Sequence, residues 1–141
     1  MQRWILIFVA GFLAVLCFHQ TVAGLLYVLG IFPSAPYSMA PTQPLGVPSV
    51  LSSSFWGGLW ALVMFLALDR LSARHRWLKA LLFGGLALTL VAIVVVFPLK
   101  GYSLPLARIP VVFALGFIVN AAWGVGTLLL ARLLGVKGAQ L

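Results

Sequence analysis

Residues 31–68 read IFPSAPYSMAPTQPLGVPSVLSSSFWGGLWALVMFLAL. The stretch changes character halfway. From Ile31 to Ser49 it holds five of the chain's eight prolines, Pro33, Pro36, Pro41, Pro44 and Pro48, and no charge. From Val50 to Leu68 it is apolar except for Ser52, Ser53 and Ser54. That second part is close to the roughly 20 residues needed to cross a hydrocarbon core. A neutral loop running straight into such a segment points to lipid as the solvent. Backbone amides find no water there, so the segment must be a helix or a barrel strand.

Composition agrees with that reading. Of 141 residues, 64% are hydrophobic and 7% charged, with a mean hydropathy of +1.20. A soluble domain carries roughly a quarter of its residues charged. Three more apolar segments resemble the first, and four are too few for a closed barrel. We therefore expect an all-α membrane protein: one domain, residues 1–141, with four transmembrane helices in two hairpins and a Pro-rich outer loop. The spans fall at about 4–29, 50–68, 80–97 and 110–130. The first is longer than the roughly 7–15 apolar residues of a secretory signal. It is expected to be a retained helix.

The formal net charge is +8, and Asp69 is the only acid. The basic residues gather at span ends, which marks topology and lipid headgroups rather than nucleic acid. Arg3, Arg70, Arg74, Arg76, Lys79, Arg132 and Lys137 fall on one side, Lys100 and Arg108 on the other. That bias places both termini in the cytoplasm. Trp4 and Trp77 suit the inner interface, Tyr27 and Tyr102 the outer one. His75 lies in the basic inner loop and is expected to be solvated. Asp69 is expected to pair with its neighbour Arg70 or with headgroups. Cys17, the single cysteine, rules out a disulfide framework and reads as a small core residue.

Proline fixes φ and lowers the entropy of ordering. The loop 31–49 therefore reads either as a stiff cover over the outer mouth of the bundle or as a segment half-sunk in headgroups. Small residues let helices approach in lipid. Stripes of them occur at Ala10, Ala14, Cys17, Thr21 and Gly24; at Ser53, Gly57 and Ala61; at Gly84, Gly85 and Thr89; and at Gly116, Asn120 and Gly124. The two halves also echo each other in Trp56-Gly57 and Trp123-Gly124, which suits a parallel repeat.

His19 is the only ionisable residue well inside a span, about 15 Å from the outer end of its helix. Intramembrane ionisable residues are candidate functional sites. Asn120 and Trp60 fall at similar depth. His19, Gln20, Trp56, Trp60, Asn120 and Trp123 thus form the candidate ligand-binding or polar core set. His19 itself reads as a headgroup or substrate contact, a proton relay, a haem ligand, or neutral structural glue. A b-type haem usually wants two axial ligands at one depth, and no second histidine offers one. No carboxylate lies in a span to support a relay. We expect no cofactor and no metal. No carboxylate pair, zinc motif, nucleophile elbow or phosphate loop appears, so no enzyme is expected.

The run FHQ at 18–20, PLGVP at 44–48, FWGGLW at 55–60 and NAAWGVG at 120–126 resemble an uncharacterised family of small four-span bacterial inner-membrane proteins. The resemblance implies an inner-membrane location and supplies no activity. The sequence reading is thus a small integral binding or accessory module, with a polar and Trp-lined cavity under the outer loop. Membrane lipids and a homodimer or larger complex are the expected partners. The alternatives are an oligomeric transporter or channel for a small solute, and a haem-binding subunit.

Overall fold

A computed structural model describes residues 1–139. It has four helices long and apolar enough to cross a membrane: α1 (Gln2–Val28), α2 (Ser49–Arg70), α3 (Arg76–Leu99) and α4 (Leu106–Leu133). They lie where the hydropathy puts them, with ends shifted by one to four residues. Most ends extend outward, taking in Arg3, Arg70, Arg76 and Arg132. Hydropathy stops at the first cation, whereas a helix continues through it, because a long basic side chain lays its stem along the apolar surface. Leu106–Arg108 forms a 3-10 turn, and Pro110 sits in the first turn of the α-helix that follows, where its missing N–H is not needed.

The helices pack in the order α2, α1, α4, α3: α1 touches α2 and α4, and α4 touches α3. Residues 71–75 join α2 to α3, which meet through Trp60 and Phe83, ring centroids 6.4 Å apart. Between α1 and α2, a Cβ on Gly11 would overlap Ala61 and the carbonyl of Gly57. Between α3 and α4, a Cβ on Gly124 would overlap the carbonyl of Ala80, and one on Gly84 the carbonyl of Asn120. Backbone lies on backbone at both places.

Two of the small-residue stripes differ from the sequence reading. On α1, Ala10 and Ala14 are buried, but Cys17 and Thr21 are exposed and Gly24 meets Pro36 of the loop instead. The buried seam runs through Ile7, Gly11, Val15 and, five residues past Phe18, Ala23. The cause is a π-helical turn at Val15–His19, where Gln20 N–H bonds the carbonyl of Val15. One extra residue in the turn rotates everything after it about the helix axis. Cys17 is accordingly not a core residue. On α2, Ser53 is exposed and Ser54 is buried, its hydroxyl donating to Val50 O at 2.8 Å. The α3 stripe, by contrast, is buried throughout. Asn120 is half-buried, and Gly116 and Gly124 meet α3.

The end that carries both termini is closed by charge. Asp69 does not pair with Arg70. Its Oδ2 accepts from Arg3 Nη2 at 2.6 Å and its Oδ1 from Arg76 Nη2 at 3.1 Å. Arg76 is 6% exposed and also donates from Nη1 to Leu68 O at 3.2 Å. Arg3 reaches the carbonyl of Lys137 as well, and its guanidinium lies 4.8 Å from the Trp4 ring. The tail beyond α4 folds back so that Val136 and Ala139 join the buried cluster of Ile7 and Leu68. One carboxylate therefore links α1, α2 and α3, next to the returning tail.

Two measurements check this packing. Gly124→Ala puts a methyl group into backbone and is expected to lower unfolding free energy by about 1–3 kcal/mol in a denaturant titration; no change would mean the α3–α4 approach is looser than described. Asp69→Asn leaves buried Arg76 without its counter-charge, with an expected loss of about 1–3 kcal/mol. In a double-mutant cycle with Arg76→Gln the losses should be clearly less than additive.

Candidate functional site

The π-turn of α1 is the local irregularity around which the polar groups of this region gather. In a regular α-helix Gln20 N–H would bond Leu16 O. Here it reaches one residue further back, to Val15 O. The Tyr37 hydroxyl of the loop donates to Leu16 O at 2.7 Å and stands 3.4 Å from the Thr21 hydroxyl. Gln20 Oε1 in turn accepts the Tyr37 backbone N–H at 2.9 Å. Tyr37 has a left-handed backbone, φ 56°, a conformation uncommon outside glycine. It turns the residue so that amide and side chain both meet α1.

The rest of the loop is ordered around this latch. A two-residue antiparallel pair, β1 (Pro41–Thr42) with β2 (Val47–Pro48), is closed by the Thr42 hydroxyl donating to Val47 O at 2.7 Å. Val50 N–H donates to Ser38 O and Ser49 N–H to Ala40 O, both at 2.9 Å. Pro36 rests against Gly24 of α1. These contacts go to α1 and to the start of α2. The loop is a clamp on the α1–α2 connection, with Ile31, Met39 and Leu45 left exposed.

Of the six candidate residues, His19 lies in the π-turn and Gln20 beside it. The Nδ1 atom of His19 is buried and no hydrogen-bond partner reaches it. Asn120 is engaged elsewhere: its Nδ2 donates to the Thr89 hydroxyl at 3.0 Å, joining α4 to α3. Trp123 is 1% exposed, and its Nε1 donates to Gly11 O at 3.1 Å. Trp60 is half-buried against Phe83. Trp56 is 57% exposed and stacks edge-on with Phe55 at 6.3 Å. Among the described residues no hydrogen bond joins any two of the six. Equal depth in a bundle does not mean contact, because the azimuth of each side chain decides its partner.

Three residues that sequence reasoning did not place in the site matter to it. Tyr37 had one signal, a hydroxyl between Pro36 and Ser38 in a loop with few donors. Thr89 was visible only as a small residue in a stripe. Leu16 contributes a carbonyl, which has no sequence signature at all. Among the described residues, no three His, Cys, Asp or Glu side chains gather to hold a metal. No protein-family model, no curated protein and no solved structure matches the chain.

The latch predicts a measurable effect. Tyr37→Phe and Gln20→Leu each remove one bond holding the loop, worth about 1 kcal/mol. Limited proteolysis within 31–48 should accelerate by about fivefold in each variant, with the helices remaining resistant. Unchanged cleavage would show that the prolines alone fix the loop.

Proposed function

We propose that this chain is an integral protein of a bacterial inner membrane that serves as a small binding or accessory module. Its four helices cross the bilayer as two hairpins, α1 with α2 and α3 with α4, and both termini lie in the cytoplasm. The lengths and apolarity of the helices support this. So do the seven basic residues at the end carrying the termini against two at the other. Within each pair, contacts rise in number on one helix as they fall on the other: Arg3 with Asp69 and Gly11 with Gly57, then Ala80 with Gly124 and Thr89 with Gly116. Exposed Trp77 at the basic end and exposed Tyr27 and Tyr102 at the other suit the two interfaces.

The observation that carries a binding role is the buried, unpartnered Nδ1 of His19. A buried polar atom without a partner costs about 1–3 kcal/mol. Arg76 Nε is buried without a partner too, but that guanidinium is held through its other nitrogens by Asp69 and Leu68 O; the His19 Nδ1 is the one that a molecule outside the chain would complete. The occupant is a small amphipathic molecule, lipid-like or quinone-like, whose hydroxyl or carbonyl meets the imidazole. Gln20 and the Tyr37 latch hold the helix turn that presents it. Asn120 and Trp123 support the scaffold rather than the ligand, and Trp56 and Trp60 offer aromatic surface on α2.

The test is native mass spectrometry of the chain extracted from its own membranes, wild type beside His19→Leu. The wild type should carry a bound small molecule that the variant lacks, and the variant should be at least as stable, because an unpaired polar atom has been replaced by apolar volume. A variant that is less stable, with nothing lost, would make His19 structural glue. A Soret band in the wild type would assign it to a haem subunit. Solute flux in liposomes that vanishes with His19→Leu would assign it to a transporter.

A further inference from the structure

At the end of the bundle away from the termini, the α3–α4 connection closes a shallow groove of about 520 Å³, lined by Ile93, Pro98, Tyr102, Ser103, Leu104 and Ile109. The turn that shapes it is held by its own bonds. Tyr102 N–H donates to Phe97 O at 2.9 Å and Gly101 N–H to Pro98 O at 3.0 Å. Gly101 supplies the left-handed φ of 74° that reverses the chain. The Tyr102 ring meets Phe97 edge-on, centroids 6.1 Å apart. Two cations flank the groove in the chain: Lys100 lies between groove residues Pro98 and Gly101, and Arg108 directly precedes Ile109. Both are exposed. Among the described residues neither side chain takes part in an ion pair, and the single acid, Asp69, is engaged at the opposite end.

We propose that this groove holds one anionic phospholipid, its head group between Lys100 and Arg108 and an acyl chain along Ile93, Pro98, Leu104 and Ile109. The unpaired cations supply the charge complement, each strengthening anionic lipid binding roughly fivefold. The apolar wall selects a lipid over a free anion, which would leave that wall in water. These two are the only cations between Lys79 and Arg132. They sit on the side that the positive-inside bias leaves poor in charge, so orienting the chain does not account for them. The inference rests on the membrane-embedded reading, and not on the His19 site.

The experiment uses the full chain in nanodiscs of phosphatidylcholine with a minor fraction of phosphatidylglycerol, counting retained lipid by native mass spectrometry. One phosphatidylglycerol should stay on the wild type in preference to phosphatidylcholine. Lys100→Gln with Arg108→Gln should weaken that retention by about twentyfold. Leu104→Trp, which fills the groove and keeps both charges, should weaken it several-fold; should that variant unfold, Leu104→Phe gives the same reading. Arg70→Gln with Arg74→Gln, at the other end, should leave the retained lipid in place, as should His19→Leu. The proposal fails if the double variant at 100 and 108 retains the lipid as well as the wild type does. It also fails if filling the groove has no effect, which would leave only diffuse surface charge, or if millimolar inorganic phosphate displaces the lipid, which would make this a free-anion site.

Discussion

Glycine at positions 11, 57, 84 and 124 brings helix backbones together in two pairs, and the Trp123 indole ties α4 to the first pair at its closest approach. In a bilayer, helices this apolar gain little from expelling lipid, since lipid tails are as apolar as the side chains they would leave. What remains is dispersion between closely fitted atoms, which falls away steeply with a gap of half an ångström. Backbone-on-backbone contact is the way to obtain it. Trp123 then reaches from α4 to the Gly11 carbonyl at the first of these contacts, beside Gly57. The point of closest approach within α1–α2 is therefore also the point at which α4 is anchored. A side chain at Gly57 would push on Val15 and crowd the indole together.

The remaining polar groups follow from that packing. Once α1 is committed to α2 through Gly11 and to α4 through Trp123, its upper half must still present Ala23 to the seam. A regular helix would carry that residue round to another face. The π-turn at 15–19 makes the correction, and it shifts a backbone donor away from Leu16 O. Tyr37 supplies the replacement. The latch, the loop and the irregular turn are thus one arrangement, and its cost is met locally, except at His19, whose Nδ1 stays without a partner. The atom that carries the proposed binding role is a by-product of how α1 had to bend its register.

At the terminal end the same economy applies to charge. A chain with one acid and nine basic residues has one opportunity for ion pairing. Asp69 accepts two guanidinium groups on its two oxygens and so connects three helices. A fork-shaped donor suits this better than an ammonium would. The adjacent Arg70 is the nearest cation in sequence, but at neighbouring positions on a helix the two side chains point about 100° apart. The cations Lys100 and Arg108 at the other end take part in no ion pair among the described residues.

The number of helices, their positions and the charge asymmetry between their ends were legible in the chain, because each depends on residue type alone. So was the α4 seam, where regular helical spacing runs through Gly116, Asn120 and Gly124; on α3 the buried residues Gly84, Gly85 and Thr89 were legible as small residues, although a π-helical segment at Phe83–Leu88 sets their common face. The α1 seam was not, because its outer half depends on one π-turn that no residue type announces. The grouping of His19, Gln20 and Asn120 by depth gives no hydrogen bond among them, for a related reason. Depth follows from counting along one helix, whereas contact depends on the rotation of two helices about their axes. That rotation is set by which glycines meet and where an indole fits, so it was decided only when all four helices packed together.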